Sequence, residues 1–218
     1  MTALSTRVKI CGFTRKEDTF NAIAAGADAL GFNFWPQSKR YITPEAARHI
    51  IKSLPPFIVS VGLFVNQQRD EIEGIARCTG INMLQLHGDE SPADCEGYSL
   101  PVIKGLRVDK DFNPEVLKAY KDKIAAYLVD APSMGFGGFG GFGGSGTSFD
   151  WNLLRGVSLS LPLILAGGLT PANIVKAINI VKPYAVDVAS GVETAPGIKD
   201  SVAMQRFVAL AKGSTVVL

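Results

Sequence analysis

The sequence lacks the marks of stapled, nucleic-acid-gripping and membrane-spanning proteins. Three cysteines, Cys11, Cys78 and Cys95, make an odd count with no CxxC and no Cys/His spacing. That argues against a disulfide framework and a metal site, and it suits a reducing compartment. Excess charge of one sign is also missing: 22 Lys and Arg stand against 20 Asp and Glu, a formal net charge of +2. With no global positive field, a nucleic-acid partner is not expected, and any anion site must be local. No apolar run reaches the roughly 18 residues of a membrane helix. Few residues precede the first strand-like run, so neither a signal peptide nor a membrane partner is expected, and the expected location is the cytoplasm. What is present is 218 residues, 47% hydrophobic and 19% charged, enough for one domain with a sizeable core and too apolar for disorder.

Short β-rich runs recur at 7–11, 29–34, 58–65, 83–87, 101–105, 126–130, 163–166 and 185–189. Stretches of helical periodicity follow at 16–25, 44–53, 68–79, 171–181 and 200–212, while the connections after the fourth, fifth and sixth runs look short or irregular. Thr43-Pro44 and Thr170-Pro171 both read as an N-cap followed by a first-turn proline. Strands alternating with helices imply an α/β fold with a parallel sheet. Eight such units suit a closed (β/α)8 TIM barrel over residues 1–218, with an open doubly wound sheet as the competitor. A faint internal echo favours the barrel: Gly12 precedes Ala22-Ile23 by the interval that separates Gly167 from Ala177-Ile178. Residues 135–146 break the pattern with eight glycines in GFGGFGGFGGSG. No regular element suits them, so 131–148 is expected to be a mobile loop on the face where barrel enzymes build their sites.

In a barrel, the ends of strands carry the chemistry. Three apolar runs finish in capable side chains: Cys11 after Val8-Lys9-Ile10, His87 after Leu84-Gln85-Leu86, and Asp130 after Tyr127-Leu128-Val129. A carboxylate ending an apolar strand costs desolvation energy unless it is paired or used, so Asp130 is the strongest candidate. A lone cysteine is equally a small buried apolar group, and His87 is equally a hydrogen-bonded rim residue. Leu165-Ala166-Gly167-Gly168-Leu169 and Ala189-Ser190-Gly191-Val192-Glu193 follow the seventh and eighth runs, where barrels recurrently bind phosphate on backbone N–H groups. Ser38-Lys39-Arg40-Tyr41 adds a basic cluster after the second run, either a carboxylate clamp or a solvated loop. Side-chain alternation turns Lys9 inward with Cys11, and barrel closure makes Asp187 its expected partner.

Taken with Gly62-Leu63-Phe64-Val65-Asn66, Gln85-Leu86-His87-Gly88, Phe149-Asp150-Trp151 and Asp187-Val188-Ala189-Ser190, these motifs resemble the phosphoribosylanthranilate isomerases in order and along most of the chain. The resemblance implies a (β/α)8 barrel that carries out an Amadori rearrangement of N-(5-phosphoribosyl)anthranilate in tryptophan biosynthesis. By position, Cys11 matches the general base and Asp130 the general acid. Arg40 matches the group facing the anthranilate carboxylate, and Gly168, Ser190 and Gly191 match the phosphate grip. His87 and Asp187 count among the substrate-binding residues. No metal and no cofactor is implied, the partner is the phosphosugar-anthranilate itself, and the assembly is a monomer or homodimer. The Gly-Phe-Gly repeat departs from the family's short Gly-Gly-Ser/Thr-Gly element. A histidine-pathway type isomerase, which runs the same chemistry on two aspartates, is disfavoured by Cys11. A non-catalytic phosphate-ligand binder is disfavoured by the Cys11/Asp130 pair.

Overall fold

The eight apolar runs become eight parallel strands that close on themselves. The computed structural model describes residues 5–131, 149–157 and 159–213. The strands are β1 (Arg7–Cys11), β2 (Ala29–Asn33), β3 (Val59–Phe64), β4 (Met83–Leu86), β5 (Val102–Arg107), β6 (Ala126–Asp130), β7 (Leu163–Leu165) and β8 (Ala185–Val188), in the order of the chain around a closed barrel. The closing seam pairs β1 with β8, and its register sets Lys9 opposite Asp187.

Alternation divides the strands' side chains between two cores. Inward-facing Val61, Ile103, Ala126, Leu128, Ile164, Ala166 and Ala185 fill the barrel. Outward-facing Val8, Ile10, Leu30, Phe32, Leu84, Leu86 and Val186 pack with the surrounding helices. Each large apolar side chain buried this way contributes about 1.5–3 kcal/mol relative to leaving it in water.

The outer layer holds α1 (Lys16–Ala24), α2 (Pro44–Ile51), α3 (Arg69–Thr79), α4 (Ile174–Val181) and α5 (Ser201–Ala211). Local chemistry fixes several ends. Thr43 accepts from the Ala46 N–H with Pro44 in the first turn of α2, Gly80 ends α3 in the left-handed region, and Asp200 accepts from the N–H groups of Val202 and Ala203 to start α5. Among the described residues, those after β4, β5 and β6 form only 3-10 segments, at Ala93–Cys95, Pro114–Tyr120 and Trp151–Leu154.

The second Thr-Pro pair does not start a helix. Residues 170–173 make a turn in which Asn173 Oδ1 accepts from the Thr170 N–H, and α4 begins only at Ile174. Thr170 still makes a cap-like bond, its Oγ1 accepting from the Ala172 N–H at 3.3 Å, while the Asn173 side chain closes the turn from the other side before regular helix begins. A two-stranded antiparallel hairpin, β9 (Glu193–Ala195) with β10 (Ile198–Lys199), follows β8, and its strands are too short to show alternation in the sequence. Of the glycine-rich loop expected at 131–148, all but Ala131 lies outside the described residues.

Helix α5 returns to the start of β1. There the Asp28 carboxylate takes Arg7 on one oxygen and Lys212 on the other, each at 2.9 Å, and the Val8 N–H at 2.8 Å. Against its partial burial, these partners hold the Asp28 carboxyl below the usual carboxylate range. Among the described residues no helix is long and apolar enough to cross a membrane.

Candidate active site

The rim at the C-terminal ends of the strands gathers the candidate residues. Cys11 closes β1 and faces inward, where its register partner on β2 is Gly31. A Cβ on Gly31 would lie 2.6 Å from the Cys11 sulfur, so the glycine makes the thiol's room. Two residues back on the same inner face, Lys9 Nζ lies 2.8 Å from Asp187 Oδ1, with both side chains almost wholly buried. Lys9 stays charged: burial opposes the ammonium, but Asp187 beside it carries the balance upward. Burial likewise pushes the Cys11 thiol up from its ordinary value, Lys9 and Lys199 pull against that, and Asp187 adds to it. The expected Lys9–Asp187 pair is therefore present beneath the thiol. Asp187 itself lies below the rim, turned onto the lysine.

Asp130 closes β6, and His87 follows β4, one strand further on than a neighbour would be. Gly105 on the intervening β5 bridges that gap by having no side chain, because a Cβ there would overlap the His87 ring. Across it, His87 Nε2 lies 3.2 Å from Asp130 Oδ2. On the ring's other side Gln85 Nε2 lies 3.0 Å from His87 Nδ1. Gly167, at φ +85, leaves room for the Ala131 N–H and for Asp130 Oδ1.

Arg40 crosses the turn after β1, where Gly12 at φ +85 has no Cβ to obstruct it. Its guanidinium meets Glu193, with Nε 2.9 Å from Oε1 and Nη2 2.7 Å from Oε2. Lys199 closes the network: Nζ donates to Glu193 Oε1 at 2.8 Å and also to the Cys11 and Ala189 carbonyls. Although buried, Glu193 is held below the usual carboxylate range by Arg40 and Lys199. The sequence reading singled out Arg40 but gave no role to Glu193, Lys199 or Gln85. Glu193 stood inside a quoted motif, and its only further signal is a carboxylate six residues before Lys199.

The two glycine loops meet side by side. Gly167 and Gly168 both have positive φ, +85 and +62, so the chain after β7 folds into a tight backbone concavity. Asn173 Nδ2 donates to the Gly168 carbonyl at 2.9 Å and pins it. After β8, residues Ser190–Val192 form a 3-10 turn, and Gly191 approaches the Leu169 carbonyl so closely that any Cβ would overlap it. Gly168, Ser190 and Gly191 thus share one corner of the rim.

A closed barrel that gathers a thiol, a carboxyl on an imidazole and two glycine loops at one rim has the architecture of the (β/α)8 barrel isomerases. It belongs to the N-(5'phosphoribosyl)anthranilate (PRA) isomerase family, whose sequence profile matches residues 8–210. A protein of Pseudomonas fluorescens strain Pf-5 named N-(5'-phosphoribosyl)anthranilate isomerase is 47% identical over 210 residues, spanning 96% of this chain and 97% of its own. Among solved structures, the phosphoribosyl anthranilate isomerase of Thermotoga maritima superposes with a TM-score of 0.83 at 40% identity, covering 95% of this chain and 99% of that one. A phosphoribosyl anthranilate isomerase in complex with reduced 1-(o-carboxyphenylamino)-1-deoxyribulose 5-phosphate superposes with a TM-score of 0.79 at 39% identity, over the same shares of the two chains.

Proposed function

We propose that the chain catalyses the Amadori rearrangement of N-(5-phosphoribosyl)anthranilate to 1-(2-carboxyphenylamino)-1-deoxyribulose 5-phosphate in tryptophan biosynthesis. The observation that carries the reading is the pairing of a hydrogen-bonded rim carboxyl, Asp130 on His87, with a thiol above a buried ammonium, Cys11 over Lys9, in a chain of this family.

Asp130 protonates the furanose ring oxygen, the C1–O bond breaks, and the anilino nitrogen's lone pair forms the iminium. The iminium acidifies the C2 proton, which Cys11 removes as thiolate to give an enolamine, and tautomerisation gives the ketone. Electrons move only within the substrate, so the balance closes without a nucleotide, a metal or a Schiff-base lysine. Arg40 binds the anthranilate carboxylate with Glu193 holding the other edge of its guanidinium, and Gly168, Ser190 and Gly191 take the phosphate. The acting form is a monomer or homodimer, and an unpaired reactive thiol suits the cytoplasm.

The test is to supply enzymatically generated phosphoribosylanthranilate and follow the loss of its anthranilate-type fluorescence. Turnover is the expected result. Binding with no turnover would make the chain a phosphate-ligand binder instead. Arg40→Ala is expected to raise KM about 10- to 150-fold with a smaller change in kcat, corresponding to about 1.5–3 kcal/mol for a charged hydrogen bond. An unchanged KM would remove Arg40 from the carboxylate. Inorganic phosphate is expected to compete with substrate, and noncompetitive or absent inhibition at high phosphate would count against the corner formed by Gly168, Ser190 and Gly191.

A further inference from the structure

We propose that Gln85 is a positioning residue that fixes His87 in its Nε2–H form and, through it, sets which oxygen of Asp130 carries the acid's proton. The proposal deepens the acid role given to Asp130 and rests on that reading.

Gln85 sits on the inner face of β4 and is 1% exposed, two residues before His87. The imidazole has a neighbour at each nitrogen: the Gln85 amide at Nδ1, 3.0 Å away, and Asp130 Oδ2 at Nε2, 3.2 Å away. A neutral ring holds one proton, so these contacts are not independent. If the Gln85 amide donates to Nδ1, that nitrogen is bare and the proton sits on Nε2, pointing at Asp130. Oδ2 then accepts, and a protonated Asp130 carries its hydrogen on Oδ1, the oxygen turned away from the histidine. Reversing the amide reverses everything. Nδ1–H would donate to the amide oxygen, and a bare Nε2 would face Oδ2, repelling the carboxylate or drawing the acid's proton toward the ring and away from the substrate. Only the Nε2–H form suits both the carboxylate and the amide nitrogen.

The amide makes no other use of its position. Gln85 Oε1 has no hydrogen-bond partner among the described residues. A buried amide left half-satisfied is poor core packing, and it is consistent with a side chain retained for the bond its nitrogen makes. Gly105 supplies the ring's space and brings no competing polar group to Nδ1. The Nε2–H bond also favours the reaction as it proceeds, because Asp130 becomes an anion on giving up its proton and a hydrogen bond to an anion is the stronger one.

The chain has two histidines, so the ring state is directly readable. His49 lies exposed on α2 and serves as an internal reference. In uniformly 15N-labelled protein at mildly alkaline pH, where an ordinary histidine is neutral, long-range proton–nitrogen correlations should show His87 as the Nε2–H tautomer. Gln85→Leu removes one of the two contacts that select this form, so it should admit a measurable Nδ1–H fraction and lower kcat about 10- to 100-fold with KM nearly unchanged. Gln85→Glu should drive the ring to imidazolium, since a second carboxylate then accepts from Nδ1. Finding wild-type His87 as Nδ1–H or imidazolium would overturn the proposal without any variant having to fold. A Gln85→Leu protein with the same tautomer, or with wild-type kcat, would overturn it as well. Absence of turnover in the wild-type protein would instead strike the proposed reaction, because the tautomer is measured without substrate.

Discussion

Asp130→Asn is expected to lower kcat by about 10²- to 10⁴-fold while the barrel stays folded, and Cys11→Ser to do the same, since each removes one general acid–base step. Asparagine keeps the shape and an oxygen to accept the His87 N–H, so the rim's geometry is preserved. Lost is the proton that must reach the ring oxygen. Serine in place of Cys11 keeps nearly the same volume against Gly31 but offers a hydroxyl far harder to ionise than a thiol in the same buried place. The two losses together should fall short of their product, because an acid and a base serving one proton-coupled rearrangement act as a unit. The measurement is kcat from the fluorescence decay, with circular dichroism confirming the fold. Near-wild-type kcat in both variants would sink the assignment.

The second large effect concerns stability. Lys9→Met should destabilise the protein by about 3–5 kcal/mol, because it leaves Asp187 as a buried carboxylate without its partner. Lys9→Met with Asp187→Leu should recover most of that loss, since an apolar pair of similar volume relieves the desolvation of both charges. Denaturant midpoints at constant slope read both quantities. The same lysine has a chemical effect. Burial raises the Cys11 thiol and Lys9 opposes the rise, while Asp187 adds to it. Removing Lys9 alone therefore takes away a lowering influence and exposes a raising one. Both act in one direction, so the alkylation profile of Cys11 should move to higher pH. An unchanged profile would leave the pair purely structural.

The strand-end candidates were legible because an apolar run that finishes in Cys11, His87 or Asp130 contradicts its own pattern. The Lys9–Asp187 pair was legible for a related reason: alternation fixes which way Lys9 points, and barrel closure fixes which strand meets it. Gln85 gave no such contradiction, since one amide in a strand is unremarkable until its neighbours across the barrel are known. Glu193 and Lys199 were hidden because they sit in a hairpin of three and two residues, too short for any periodicity. The work done by Gly31 and Gly105 is invisible along the chain, because it consists of space given to a residue on an adjacent strand. Thr170-Pro171 marked the approach to α4 but not its first turn, because Thr170 and Asn173 bond to each other's turn and regular helix begins only at Ile174.

The Asp28 clasp has a topological consequence. It ties Arg7, at the beginning of the first strand, to Lys212, just beyond the last helix, through one carboxylate. Beside it, β1 and β8 are zipped by four register pairs, as fully as chain-consecutive strands such as β3 and β4. Geometrically the ring has no first strand. Connecting the two ends by a short peptide and opening the chain between another pair of units would leave every strand its two neighbours and the rim its full set of side chains. The order in which the units are strung is thus separable from the enzyme they form.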